Sequence, residues 1–172
     1  MHIADVLITI AQVAVSLAGF SGLIAAIRTA APDGWHPRDI WSLSWMLGTS
    51  IGALVLALLP LWLSLFEWSD DLVYRASSAV AFLYIGTFVA VMVWAGRRLT
   101  LRGYPPRVPI FPAAISLLLG FSAVATAAGA AGGLDETVAP VYVGSLIALL
   151  VASVLVLAVF LVLLARIAHD KR

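Results

Sequence analysis

The chain has 172 residues, of which 63% are hydrophobic and only 11% are charged, and its mean hydropathy is +1.07. A soluble globular domain carries about 25% charged residues, so this chain has too little charge to cover a surface that faces water. We therefore expect a lipid bilayer to be its main partner. The net charge of +1 argues against nucleic acid as a partner, and the lack of cysteine excludes disulfides and thiolate metal sites.

Five stretches are long and apolar enough to cross a membrane, which takes a helix of about 20 residues. We predict an all-α, polytopic integral membrane protein whose single domain covers residues 1–172. Its five transmembrane helices are predicted at 3–27, 41–66, 72–96, 109–133 and 138–166. A rival arrangement has four spans, with the first stretch lying on the membrane surface. An interfacial helix has a strongly charged face, whereas this stretch has a single acidic residue, so we favour five spans.

The first span carries polar and small residues along one side. A helix turns by about 100° per residue, which places these residues within an arc of about 80°, whereas Ser21 falls on the opposite face. We call this arc the polar stripe, and it consists of Asp5, Thr9, Gln12, Ser16 and Gly19, continuing into Leu23.

The polar stripe has two interpretations. Small and polar residues mediate close packing between membrane helices, which would make the stripe a helix contact. Alternatively, the stripe lines a water-filled path, with Asp5 at its mouth and Leu23 as an apolar neck, because acidic rings select cations and apolar constrictions gate channels. Gln12 is the strongest argument for a path, because a primary amide has two donor protons and an acceptor to satisfy.

Asp5 also has a simpler interpretation as half of an ion pair. Arg75 is the one basic residue predicted on the same side of the membrane and at a similar depth. An Asp5–Arg75 pair would fix the helices at the outer interface without any role in transport.

The residues of the other four spans indicate mainly how the helices pack. Gly48 and Gly52 form a small-xxx-small pair in the second span, which predicts helix packing. Pro60, also in the second span, removes a backbone donor. Tyr84 lies near mid-membrane in the third span and is expected to donate its hydroxyl to a neighbour. The fourth span ends in small residues, and the fifth, rich in large aliphatic side chains, is predicted to be a lipid-exposed outer helix.

The basic residues sort to one side of the membrane. With five spans, all Lys and Arg residues except Arg75 fall on a single side, which the positive-inside rule assigns to the cytoplasm. The prediction is therefore N-terminus outside and C-terminus inside, in a bacterial-type plasma (inner) membrane. The inner set is Arg28, Arg38, Arg97, Arg98, Arg102, Arg107, Arg166, Lys171 and Arg172, and the outer acidic set is Asp5, Glu67, Asp70, Asp71, Asp135 and Glu136.

Aromatic residues follow both predicted interfaces, where amphipathic rings are enriched. The predicted inner belt is Trp35, Trp41, Trp45, Trp94 and Tyr104, and the predicted outer belt is Trp62, Trp68, Tyr74 and Tyr142.

The sequence argues against an enzyme, a metal site or a bound cofactor. The histidines all fall at or beyond helix ends, and no span has an ionisable residue near its centre, as ion-coupled pumps usually do. The leading hypothesis is a homo-oligomeric channel for ions or small solutes, with the first helix lining the path. The alternatives are a structural or accessory membrane subunit without a path, and a small inverted-repeat transporter suggested by the similarity of residues 16–26 to residues 116–128. The three histidines are His2, His36 and His169.

Overall fold

The protein is an all-helical bundle in a computed structural model, which describes residues 2–29, 36–106, 108, 110–134 and 137–170, with only the backbone at 28 and 163–170. A 3-10 turn, Ser64–Phe66, directly follows the second helix. The five helices found among the described residues are all long and apolar enough to cross a membrane, which agrees with the five apolar stretches in the sequence. The helices are α1 (Ile3–Thr29), α2 (Pro37–Leu63), α3 (Asp70–Leu101), α4 (Ile110–Ala130) and α5 (Val138–Asp170).

Several of the predicted features fall outside this description. They are Trp35, Arg107, position 109, Asp135, Glu136, Lys171 and Arg172, together with the side chains of Arg28, Arg166 and His169.

Capping residues place the starts of α2 and α3 earlier than predicted. His36 precedes α2, and its Nδ1 accepts a hydrogen bond from the backbone N–H of Arg38 at 3.2 Å. Ser69 caps α3 through its hydroxyl oxygen, which accepts from the N–H of Leu72 at 3.4 Å. Such caps satisfy backbone donors that have no partner within the helix. The helices therefore begin at 37 and 70 rather than at 41 and 72.

The third helix extends to Leu101, well past its predicted end at 96. Residues 97–101 contain arginine and leucine, which favour helix, and no proline or glycine. The chain turns only at Gly103, whose φ of +88° is a conformation that glycine adopts without steric cost. As a result, Arg97 and Thr100 lie on a helix rather than in a loop.

The fifth helix lies at the centre of the bundle, which corrects the prediction that it is an outer helix. In an 18-residue window of each span, 44% of the residues of α2 and of α5 are buried, compared with 28% in α1 and α4 and 22% in α3. Helix α5 packs extensively against α2 and α4 and also contacts α1 and α3. Lipid tails are as apolar as leucine side chains, so an aliphatic surface can face either lipid or other helices. Hydropathy therefore does not distinguish an outer helix from a central one.

Polar contacts fix α5 against α2 inside the bundle. The hydroxyls of Ser50 and Ser153 are 2.7 Å apart and share a hydrogen bond, and Ser153 also donates to the carbonyl of Met46 at 3.3 Å. Both serines are completely buried. The small side chains at this contact allow the two central helices to approach closely.

Successive helices run in opposite directions, so charged residues gather at the two ends of the bundle. Arg38 at the start of α2 bonds to the carbonyls of Gly96 and Tyr104 near the end of α3. We call this the basic end, and it also carries Arg97, Arg98 and Arg102. The opposite, acidic end carries Asp5, Glu67, Asp70 and Asp71.

Candidate functional site

The polar stripe lies on the outside of the bundle. Each of its six residues is exposed, whereas Ser21, which was predicted on the opposite face, is 1% exposed. Helix α1 therefore packs on α2 and α5 through its other side and turns its polar residues away from the chain. The buried side of α1 consists of Leu7, Ile10, Ala11, Ala14, Leu17, Ser21 and Ile24.

The two hydroxyl groups in the stripe are satisfied by α1 itself. The Thr9 hydroxyl donates to the carbonyl of Asp5 at 2.8 Å, and the Ser16 hydroxyl donates to the carbonyl of Gln12 at 3.0 Å. The Gln12 amide makes no hydrogen bond to any described residue. Gln12 lies about 14 Å along α1 from Ile3, at about 1.5 Å per residue, which is well inside a hydrocarbon layer about 30 Å thick. Its amide is therefore left without a partner in the described part of the chain.

The small residues of the stripe do not serve packing within one copy. A Cβ atom added at Gly19 would have no atom within 4 Å, and the same holds at Gly22 one turn further on. Packing of the stripe against the other helices of the same chain is thus excluded for these positions. What faces the stripe is water, lipid or another protein molecule.

The structure does not form the predicted ion pair between Asp5 and Arg75. The Arg75 Nε donates to Asp71 Oδ1 at 2.9 Å, and no ion pair among the described residues involves Asp5. Asp71 is one helical turn before Arg75 on α3, whereas α1 packs mainly against α2 and α5. The pairing within α3 is local, so it needs no approach of two separate helices.

Gly48 and Gly52 accommodate aromatic rings from α3. A Cβ atom added at Gly52 would overlap the ring of Tyr84, and one added at Gly48 would overlap the ring of Phe88. The Tyr84 hydroxyl donates to the carbonyl of Gly48 at 2.7 Å, which confirms the expected donation to a neighbour. The glycine pair therefore provides a groove for two side chains on the face of α2.

The interior of one copy is filled with large side chains. Eight of the central residues, contributed by α2, α3, α4 and α5, are at most 2% exposed, and their side chains pack into one continuous core. A water-filled path along the bundle axis would have to displace these side chains. The polar groups that one copy could present to such a path lie in the polar stripe and not in the interior. These residues are Trp45, Met46, Leu56, Ile85, Leu119, Tyr142, Leu146 and Leu149.

A cavity of about 420 Å³ opens at the basic end between α2, α3 and α4. Sequence reasoning treated its arginines as topological signals and its tryptophans as an interfacial belt. One signal was available: Arg38, Trp41 and Trp45 are spaced by 3 and 4 residues, which places them on one face of a helix. The lining consists of Arg38, Trp41, Trp45, Val93, Gly96, Arg97, Thr100, Pro106, Pro112, Ala113 and Ser116.

The packing of the helices is not symmetric about α3. Helix α3 packs extensively against α4 but has at most marginal contact with α1. An inverted repeat that relates α1 and α2 to α4 and α5 would give α3 comparable contacts on both sides. The transporter alternative therefore gains no support from the arrangement of the helices.

Comparison with known proteins adds no further constraint on the polar stripe or the cavity. The chain matches no protein-family model, no curated protein and no solved structure, so both sites have to be interpreted from their own residues.

Proposed function

We propose that copies of this protein assemble in the membrane around a water-filled path lined by the polar stripe of α1, and that this path conducts cations or small solutes. The observation that carries the proposal is the position of Gln12. It is exposed on the outer side of the bundle, at membrane depth, and its amide has no hydrogen-bond partner among the described residues. An unsatisfied amide in hydrocarbon costs several kcal/mol, and water or a second copy removes that cost.

The order of residues along the stripe supports conduction by such an assembly. Asp5 stands at one end, Gln12 and Ser16 follow, and Leu23, which is 56% exposed, lies furthest along. Repeated around a symmetry axis, these residues form an acidic ring, a polar passage and an apolar constriction. The acidic ring attracts cations, and the apolar constriction can close the path by excluding water.

The same proposal includes an orientation. The basic end, with Arg38, Arg97, Arg98 and Arg102, faces the cytoplasm of a bacterial-type plasma membrane, because short cytoplasmic loops carry an excess of Lys and Arg. Asp5 and the start of α1 then face the outside, where they form the entrance of the path.

Replacing Gln12 by leucine is expected to reduce ion flux at least tenfold. Leucine has a similar size but offers no polar group to water, so the passage becomes apolar over a further turn of the helix. The measurement is cation flux into liposomes that contain the purified protein. Ser21→Ala is the matched control, because Ser21 is buried on the opposite side of α1 and donates to Leu17. Wild-type liposomes without flux, or a Gln12→Leu variant with unchanged flux, would contradict the proposal.

A second candidate is a structural or accessory subunit whose polar stripe packs against another protein without water. The open surface at Gly19 and Gly22 favours it, since small residues allow close helix approach. Thr9 and Ser16 also fit, because hydroxyls bonded to their own helix need no water.

Cysteine labelling distinguishes the two candidates. The chain has no cysteine, so each single-cysteine variant carries a single thiol. A water-soluble thiol reagent should label cysteines at positions 9, 12 and 16 if the stripe lines a path. Leu117→Cys and Phe121→Cys are the controls. Both residues are apolar and lie on the outer surface of α4, where their side chains are 74% and 77% exposed. Protection at all three stripe positions, as complete as at the controls, would favour the accessory subunit.

A further inference from the structure

Among the described residues, the lining of the basic-end cavity offers hydrogen-bond donors and no acidic side chain. Arg38 and Arg97 contribute positive charge, and Ser116 contributes a hydroxyl, whereas the Thr100 hydroxyl already donates to the carbonyl of Gly96 at 3.1 Å. Arginine side chains donate only, and neither aspartate nor glutamate is among the described residues of the lining. A cavity of this composition attracts an anion and repels a cation.

Arg38 carries a buried charge that has no counter-ion among the described residues. It is 6% exposed, and its Nε donates to the carbonyl of Tyr104 at 2.7 Å. Its Nη2 donates to the carbonyl of Gly96 at 3.1 Å and to the hydroxyl of Thr100 at 2.6 Å, both neutral acceptors. No carboxylate among the described residues forms an ion pair with it, and its Nη1 makes no hydrogen bond to them. Buried charges in proteins are usually paired, and here the two remaining donor protons are available for an anion.

Trp45 contributes ring surface to the cavity, and its N–H is a buried donor without a partner among the described residues. Its side chain is 2% exposed, and its Nε1 makes no hydrogen bond in the part of the chain that the structure describes. Buried polar groups in native proteins nearly always have a partner. The Trp45 ring lines the same cavity as Arg38, but its N–H is closed off from solvent. The two free protons on Nη1 of Arg38 are therefore the buried donors that an anionic oxygen in the cavity would meet.

Part of the lining is apolar, which restricts the kind of anion. Trp41, Val93 and Pro112 contribute ring and aliphatic surface beside the charged groups. The cavity lies at the end of membrane-length helices, where lipid headgroups meet the hydrocarbon layer. Basic pockets between membrane helices bind lipid headgroups in this position.

We propose that the basic-end cavity binds a phosphate-bearing anion, which Arg38 and Arg97 hold by charge and by hydrogen bonds from their guanidinium groups. The phosphate is carried either by the headgroup of an anionic phospholipid or by a soluble organic phosphate. This inference does not depend on conduction along the polar stripe, since the cavity and the stripe share no residue.

The test uses the purified full-length protein in detergent and two lipids with identical tails. Native mass spectrometry should show dioleoylphosphatidylglycerol bound at least tenfold more tightly than dioleoylphosphatidylcholine, whose choline cation the two arginines repel. Calorimetry with glycerol 3-phosphate measures the soluble source. Selective binding of dioleoylphosphatidylglycerol, without binding of glycerol 3-phosphate, supports a headgroup site. Saturable binding of glycerol 3-phosphate supports a soluble phosphate. Equal binding of the two lipids together with no binding of glycerol 3-phosphate would overturn the proposal.

Arg97→Gln is the main variant, because Arg97 is exposed and forms no hydrogen bond or ion pair with another described residue. It should weaken binding roughly tenfold, since hydrogen bonds between charged groups are the strong ones. Arg98→Gln is the matched control: Arg98 is the next residue, but it stacks on Trp94 at 3.8 Å and does not line the cavity. An equal loss in Arg97→Gln and Arg98→Gln would show general surface attraction and would overturn the site.

Discussion

Replacing Gly52 by alanine should destabilise the bundle by about 1–3 kcal/mol, because it forces a side chain into a fully packed contact. The new Cβ atom would overlap Cε1 of Tyr84 and lie 2.7 Å from Cζ and 2.8 Å from the hydroxyl oxygen. In a helix interior, alanine stabilises the folded state by about 1 kcal/mol relative to glycine. We expect the clash to outweigh that gain, because the ring of Tyr84 is held at both ends.

Two contacts prevent the Tyr84 ring from moving aside. Its hydroxyl donates to the carbonyl of Gly48 at 2.7 Å, and its ring stacks on Phe88 with centroids 6.0 Å apart and planes within 2°. Phe88 is in turn held edge-on by Trp45, with ring centroids 5.3 Å apart. A shift of Tyr84 therefore breaks a hydrogen bond and disturbs a chain of three aromatic rings.

The measurement is the free energy of unfolding in mixed micelles, followed by tryptophan fluorescence as denaturing detergent is added. Gly144→Ala is the matched control, because Gly144 lies in α5 and a Cβ atom there would have nothing within 4 Å. That variant should be neutral or slightly stabilised. In a Tyr84→Ala background the cost of Gly52→Ala should largely disappear. If Gly52→Ala proved as harmless as Gly144→Ala, Tyr84 would not occupy the groove on α2.

The sequence was sufficient to predict the spans and the faces of α1, because both depend on local periodicity. A membrane requires a fixed length of apolar helix, and the angular spacing of the polar stripe depends only on residue number. Ser21 illustrates this: it was predicted opposite the stripe and is buried there. The residues that α1 buries follow from the same helical geometry.

The order of the helices in the bundle could not be predicted in the same way. In a water-soluble protein, apolar surfaces are buried and polar surfaces face water. In a membrane, an aliphatic surface is equally suited to contact with lipid tails and to contact with other helices. Helix α5 was therefore placed outside although Leu146, Leu149 and Ala152 are fully buried. The cavity was missed for a related reason, since Arg38 acquires its partners from α3 and its neighbours in the lining from α3 and α4. These contacts join residues that are far apart in the sequence. The spacing of Arg38, Trp41 and Trp45 is the one local signal of the cavity.

Tyr142 was assigned to the outer aromatic belt, yet it is fully buried because α2 offers it an acceptor. Pro60 has no N–H, so the carbonyl of Leu56, one turn earlier in α2, loses its helical hydrogen bond. The Tyr142 hydroxyl donates to that carbonyl at 2.5 Å. A proline in the second span and a tyrosine in the fifth thus form one interaction, which links the two central helices.

Tyr142→Phe is expected to cost about 1–2 kcal/mol in the free energy of unfolding, because it leaves a buried carbonyl without a donor. In a Pro60→Ala background the alanine N–H can bond to the carbonyl of Leu56, so the same substitution should cost much less. The double-mutant cycle, measured by detergent unfolding, isolates this coupling. Tyr84→Phe is the control, because its acceptor, the carbonyl of Gly48, keeps its helical partner and the loss should be smaller. A cost of Tyr142→Phe that is the same with Pro60 and with alanine at this position would show that the hydroxyl does not replace the missing helical bond.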